Sequence, residues 1–135
     1  MRVVLATNNA GKLRELQAML QPLGFEVLPK SQFTREEVIE DGDSFVANAL
    51  LKARHAARAS GLPAIADDSG IEVDALGGAP GIYSARYAGA QATDLDNLNK
   101  LLESMQAVSD ENRAARYRCA LVYVREAEDQ QPLIC

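Results

Sequence analysis

Arg2-Val3-Val4-Leu5-Ala6, followed by Thr7-Asn8-Asn9-Ala10-Gly11-Lys12, decides the fold class. The apolar run reads as a buried first strand, and the small and polar residues after it read as a loop. From about Lys12, residues Leu13, Leu16, Leu20 and Leu23 recur at helical spacing, and Pro22-Leu23-Gly24 ends that helix. Residues 25–28 form a second strand candidate. Strand, loop, helix and strand in this order point to an α/β protein.

Further along, residues 29–43 are polar and acidic and read as loop. Ser44 then caps a helix over about 44–59, with Val46, Ala49, Leu50, Ala53 and Ala57 as its core face and Gly61 and Pro63 as its stop. Leu62-Pro63-Ala64-Ile65-Ala66 reads as a short buried strand that ends in Asp67-Asp68 and a Ser69-Gly70 turn. Residues 71–76 alternate and are expected to pair with it. Residues 77–89 form a long glycine-rich loop, and Asp94 starts a helix with Leu95, Leu98, Leu101 and Leu102 as its apolar stripe. Residues 117–124 and 132–135 suit a hairpin through the polar segment 125–131. No repeat or linker divides the chain, so a single domain over 1–135 is expected.

Composition narrows the function classes. The chain is 47% hydrophobic and 24% charged, with fourteen Lys and Arg against nineteen Asp and Glu. A formal net charge of −5 argues against a general nucleic-acid or anionic-membrane surface and leaves room for a local basic pocket. The apolar N-terminal run is too short for a signal peptide or a membrane span. Cys119 and Cys135 lack metal-ligand spacing; a single disulfide is one reading, and two reduced thiols in a cytoplasmic protein is the expected one. Pro132-Leu133-Ile134-Cys135 reads as a strand stopping in mid-course, the expectation being a fragment or an edge that something else covers.

Four groups of residues suit chemistry. In the loop of residues 7–12, backbone N–H groups and a helix N-terminus would converge on an anion, and a bound phosphate would offset the poor placement of Lys12 at that helix end. The glycine that opens a Walker loop is absent, and an ordinary strand-to-helix turn has the same composition. Asp67 and Asp68 suit a hard divalent cation, one as ligand and the other as support or general base. Adjacent residues of a strand face opposite ways, so the two are not expected to share a metal as equals. A solvated Asx turn is the plainer alternative. Ser44, Asn48, Lys52 and His55 form one polar line along the second helix, suited to a polyphosphate or to solvent, while Arg54 and Arg58 read as solvated charges. In Gly77-Gly78-Ala79-Pro80-Gly81-Ile82-Tyr83-Ser84-Ala85-Arg86-Tyr87, Arg86 suits a phosphate clamp and the tyrosines a subunit interface, or the loop packs on itself. Of the acidic run Glu36, Glu37, Glu40 and Asp41, Glu40 is the residue expected to fold back and complete a metal site with Asp68.

Taken together, Thr-Asn-Asn-Ala-Gly-Lys at 7–12, Asn-Ala-Leu-Leu-Lys-Ala-Arg at 48–54, Ala-Asp-Asp-Ser-Gly at 66–70 and the segment at 77–87 resemble the noncanonical purine nucleoside triphosphate pyrophosphatases, which hydrolyse inosine and xanthosine triphosphates. The similarity runs the length of the chain, in order. It implies an elongated α/β fold with a long mixed sheet flanked by helices and two lobes around a central cleft, the second lobe incomplete here. It also implies homodimers, Mg²⁺ and release of pyrophosphate from ITP, dITP or XTP. Carried over by position, Thr7, Asn8, Asn9, Ala10, Gly11 and Lys12 would hold the triphosphate and Lys52 would neutralise it. Ser69 would touch substrate, Asp68 would bind metal and accept a proton, and Asp67 would support it. Two departures stand out: Ala47 occupies the place of a common Glu, and the family's Gly-Tyr-Asp-Pro and Ser-His-Arg segments, which read the base, lie beyond residue 135. A noncatalytic nucleotide-binding module and a P-loop phosphotransferase are the alternatives.

Overall fold

The structure, a computed structural model, describes residues 1–135. Its main-chain order is β1 (Arg2–Leu5), α1 (Ala10–Leu20), β2 (Glu26–Pro29), α2 (Phe45–Ser60), β3 (Ala64–Val73), α3 (Asp94–Ser104), β4 (Ala115–Val124) and β5 (Leu133–Ile134). One five-stranded mixed sheet runs β2-β1-β3-β4-β5. β1 pairs in parallel with β2 and with β3, and β4 pairs antiparallel with β5. By its internal packing the chain forms two compact units, Met1–Asp68 with Ala120–Cys135, and Ser69–Cys119.

The period-2 alternation of strands divides the first unit's core between two faces. Val4, Ala6, Ala64, Ala66, Val122 and Val124 meet Ala49, Ala53, Ala56 and Ala57 of α2. Val3, Leu5 and Val27 meet Leu13, Leu16 and Leu20 of α1, with Ile65 and Tyr123 beside them. Helix α2 can lie close to the sheet because its inward face is mostly alanine. Its ends follow local rules: the Ser44 hydroxyl accepts from the Ala47 N–H, and Gly61 closes the helix in a left-handed conformation that suits glycine.

Three sequence expectations are corrected here. Strand β3 does not end at the paired acids. It continues through Ser69 and Gly70 to Val73, so the expected turn and residues 71–73 of the expected separate strand are one extended segment, and Asp74–Leu76 is a 3₁₀ turn instead of strand. The Leu stripe of α3 forms with a complete capping box on Thr93 and Asp96, yet Leu95, Leu98 and Leu102 are each at least half exposed. Arg54 and Arg58 are not simply solvated. Arg54 donates to the Asp129 carbonyl at 3.1 Å and Arg58 pairs with Glu128 at 3.0 Å, fastening α2 to the β4–β5 turn. The expected loop at 77–89 contains the 3₁₀ segment Gly81–Arg86. In the Ser69–Cys119 unit Arg86 stacks on Tyr83 and Lys100 on Tyr87, and the ion pairs Arg116–Asp74 and Arg118–Glu72 tie its strands together. The hairpin is as expected, and Cys119 and Cys135 are not joined in a disulfide. No helix is long and apolar enough to cross a membrane.

Candidate active site

Strand β1 is flanked by two parallel partners, and the chain leaves its C-terminal end at Thr7. In open α/β sheets this point, where successive connections go to opposite sides, is where ligands bind. Register explains how mid-strand acids reach it. The pairing of β1 with β3 ends at Leu5↔Ile65, and the last bond there runs from the Ala6 N–H to the Ile65 carbonyl at 2.8 Å. Asp67 and Asp68 lie just past that point, beyond the end of β1. The carboxylates therefore stand at a rim although β3 does not stop there.

Alternation sends the two acids to different helices. Asp67 follows Leu5 and Ile65 toward α1 and is buried, with Lys12 Nζ 2.5 Å from its Oδ2. Asp68 follows Ala64 and Ala66 toward α2, where Lys52 Nζ lies 3.7 Å from Oδ1. The same ammonium is 3.3 Å from Glu40. Lys52 thus ties the two carboxylates expected to form a metal site. The acidic segment does fold back, and Glu40 is the residue that reaches the centre.

Burial pushes the Asp68 carboxyl above the ordinary aspartate range; Lys52 opposes that rise, while the charge of Glu40 adds to it. Asp68 Oδ2 is buried and makes no full hydrogen bond, while the Asn48 amide, its Nδ2 also unpartnered, faces the carboxyl closely enough to lower its affinity for protons. An unsatisfied buried carboxylate oxygen beside a second carboxylate is a donor set that fits a hard divalent cation. No cluster of three or more His, Cys, Asp or Glu comes together anywhere in the chain. Glu40 and Asp68 would therefore hold such a cation with water and ligand oxygens completing its shell, as Mg²⁺ prefers.

The loop after β1 is organised by its own side chains. Asn9 caps α1, its Oδ1 accepting from the N–H groups of Gly11 at 2.9 Å and Lys12 at 3.1 Å, while the Asn9 N–H donates to Thr7 Oγ1. A Cβ at Gly11 would come within 3.2 Å of that Asn9 oxygen, so glycine keeps the approach open. Two of the amides expected to face an anion are thus held by Asn9, and an incoming phosphate would compete with that cap. Asn8, Ala10 and Gly11 are exposed at this helix end. Ser69, next to Asp68 on β3, is exposed and borders an apolar cavity of about 320 Å³ within the Ser69–Cys119 unit.

Sequence reasoning missed what supports Glu40. Asn48, placed on the polar line of α2, is fully buried, and its Oδ1 accepts from the Gly42 N–H at 2.8 Å. A Cβ on Gly42 would lie 2.6 Å from that oxygen and 2.8 Å from the Ala47 Cβ. Only a glycine lets the acidic segment pass this close to α2, and its one signal in the sequence was a lone glycine between acids. His55 also touches the segment, through Glu36 at 3.4 Å.

With this geometry in view, the comparisons with known proteins are specific. Residues 3–135 match the Ham1 family. A dITP/XTP pyrophosphatase of Vibrio cholerae is 57% identical over 134 residues, which is 99% of this chain and 67% of that protein. One of Methylococcus capsulatus is 59% identical over 133 residues, 98% of this chain and 66% of that protein. The chain thus spans about two thirds of the length of these relatives. A solved Ham1 protein structure from Coxiella burnetii superposes with a TM-score of 0.93 at 44% identity, covering 100% of this chain and 68% of that one. The Ham1 protein of Staphylococcus aureus gives a TM-score of 0.86 at 36% identity over 99% of this chain and 67% of that one.

Proposed function

The chain belongs to the Ham1 family, and on that premise we propose that it hydrolyses noncanonical purine nucleoside triphosphates, such as dITP and XTP, to the monophosphate and pyrophosphate. The observation that carries the reading is the shared ammonium of Lys52, which draws Glu40 and Asp68 together one sheet face away from the Lys12–Asp67 pair. Two lysines and three carboxylates at one rim suit the grip of a polyphosphate and its counter-cation. The relatives named for dITP and XTP hydrolysis supply the substrate class.

In the reaction, water attacks the α-phosphorus, the bond from that phosphorus to the bridging oxygen breaks, and pyrophosphate leaves. Lys12, Lys52 and the open end of α1 orient the phosphates and stabilise the charge that gathers on the leaving group. Asp68 takes the proton of the attacking water. Its raised affinity for protons suits that task, and Oδ2 makes no full hydrogen bond to the protein. Asp67 positions Lys12 from the opposite sheet face. Mg²⁺ held by Glu40 and Asp68 would supply Lewis-acid polarisation of a phosphoryl oxygen. No residue needs to become a covalent nucleophile. Ser69 is assigned to substrate contact, and cytoplasmic residence and a homodimer complete the proposal.

Phosphorus NMR of dITP digests tests the reading. The expected products are dIMP and pyrophosphate, formed with Mg²⁺ and lost with excess chelator or in Asp68→Asn. Formation of diphosphate and inorganic phosphate would refute the assigned bond. Binding of dITP without any product would favour a noncatalytic binding module.

A further inference from the structure

Lys30 is a charged residue that the assigned site does not use. It follows directly on β2, which lies in parallel register beside β1 with Leu5 opposite Pro29. Its backbone therefore emerges at the same rim as the loop after β1. Its side chain is only 8% exposed. The stem is covered by protein, and the carboxylate paired with its ammonium is a loose and exposed one: Glu37, 74% exposed, with Oε2 3.9 Å from Nζ. The other oxygen of the same carboxylate accepts from Asn8 Nδ2 at 3.0 Å. Glu37 thus bridges a buried lysine and the amide of a residue in the β1 loop.

We propose that Lys30 and Asn8 form an anion subsite which the Glu37 carboxylate fills in the ligand-free protein, and which a phosphate group of the triphosphate's pyrophosphate end takes over on binding. This deepens the function proposed above and rests on it. A carboxylate and one edge of a phosphate both present two anionic oxygens to a pair of donors, so one can replace the other without rebuilding the site. The exchange is favourable because a phosphate carries more charge than Glu37 and because Glu37, already mostly exposed, returns to water at little cost. Lys30 then adds a cation to those of Lys12 and Lys52, and Glu37 acts as an internal competitor whose carboxylate turns to water when substrate arrives, while the Gly42 N–H on Asn48 Oδ1 keeps Glu40 in place.

The test is calorimetric titration of the whole chain with pyrophosphate and with inorganic tripolyphosphate in Mg²⁺ buffer, alongside dITP turnover. Lys30→Met, which keeps the buried stem, is expected to weaken pyrophosphate binding by roughly tenfold or more, the scale of one charge-assisted contact. Glu37→Gln is expected to strengthen it by about two- to fivefold, the scale of an exposed ion pair. Opposite signs are the diagnostic result, since damage to the fold would weaken both. Unchanged affinities in both variants, or weakening in both, would overturn the subsite. If Lys30→Met fails to fold, the rise in Glu37→Gln decides alone, and its absence refutes the proposal. Pyrophosphate titration reads the subsite even if dITP is not turned over, so failure of the subsite and failure of the hydrolase reading are separate outcomes.

Discussion

Replacing Lys52 by Met removes one ammonium and leaves two carboxylates facing each other. Lys52 lies 3.3 Å from Glu40 and 3.7 Å from Asp68, with side chains 22%, 30% and 14% exposed. Coulomb's law gives roughly 1 kcal/mol for each pair in bulk water and roughly 5 kcal/mol at an effective dielectric near 20. Methionine recovers part of the loss because the ammonium no longer has to be desolvated, and solvent screens the rest, leaving a net cost of about 2 kcal/mol. For a chain of this size that lowers Tm by roughly 6–8 °C. The pH dependence has a definite sign. Asp68 already has a raised affinity for protons, so its charge costs stability above its folded value. Losing Lys52 raises that value further. The Tm deficit is therefore full at neutral pH and shrinks as Asp68 protonates. Mg²⁺ should also stabilise the variant more than the parent, by taking the place of the missing cation between the carboxylates. Thermal unfolding at neutral and acid pH, with and without Mg²⁺, is the assay. A Tm within about 1 °C of the parent at every pH, with no differential response to Mg²⁺, would refute the claim that Lys52 neutralises this pair.

The remaining predictions concern neighbouring residues. Asp68→Asn should lower turnover by about 10²- to 10⁴-fold, as expected for loss of a general base. It should also raise stability at neutral pH, because a buried charge is removed and Lys52 keeps Glu40, with the gain vanishing in urea titrations run below the ordinary aspartate range. Gly42→Ala should destabilise by roughly 1–3 kcal/mol in chemical denaturation, since its Cβ would meet Asn48 and Ala47. The same variant should weaken Mn²⁺ binding measured by spin resonance, because Glu40 is carried on that segment. Hydrogen bonds from Arg125 and from the Gln131 N–H hold the Asp129 carboxyl well below the usual range. Its contribution is present above the unfolded aspartate value and is lost only as pH falls through the lower folded one, so Asp129→Asn should lose Tm at neutral pH and match the parent only in strong acid.

The strand-and-helix order was legible because its signals are local. Val3 to Leu5, the Leu spacing of α1, the Ser44 cap and the Gly61 stop each act within a turn or two of their own element. Strand β3 was misread because Asp67, Asp68, Ser69 and Gly70 have turn chemistry, and the partners that hold them extended are distant in sequence. Lys12 meets Asp67 across 55 positions. The α3 stripe shows the reverse limit: periodicity gave the helix, but nothing in the spacing says what covers its leucines. At the site, the residue types of 7–12, 52 and 67–68 were enough to single out the residues that the fold brings to one rim. Which acid faces which lysine follows from strand alternation, and Asp67 and Asp68 face apart as expected. The roles of Gly42, Asn48 and Lys30 depend on how a fifteen-residue acidic stretch, 29–43, lies against α2 and β1, and a stretch without periodicity carries no such information.

The central claim is that Glu40 and Asp68 seat a cation whose ligand is completed by phosphates gripped by Lys12, Lys52 and the loop after β1. A crystal structure with Mn²⁺ and a dITP analogue carrying a nonhydrolysable α–β bridge tests this most directly. The predicted result is an anomalous peak between the Glu40 and Asp68 carboxylates, with phosphate oxygens on the metal and on both lysines. A metal peak elsewhere, or a triphosphate bound away from residues 7–12, would contradict the account.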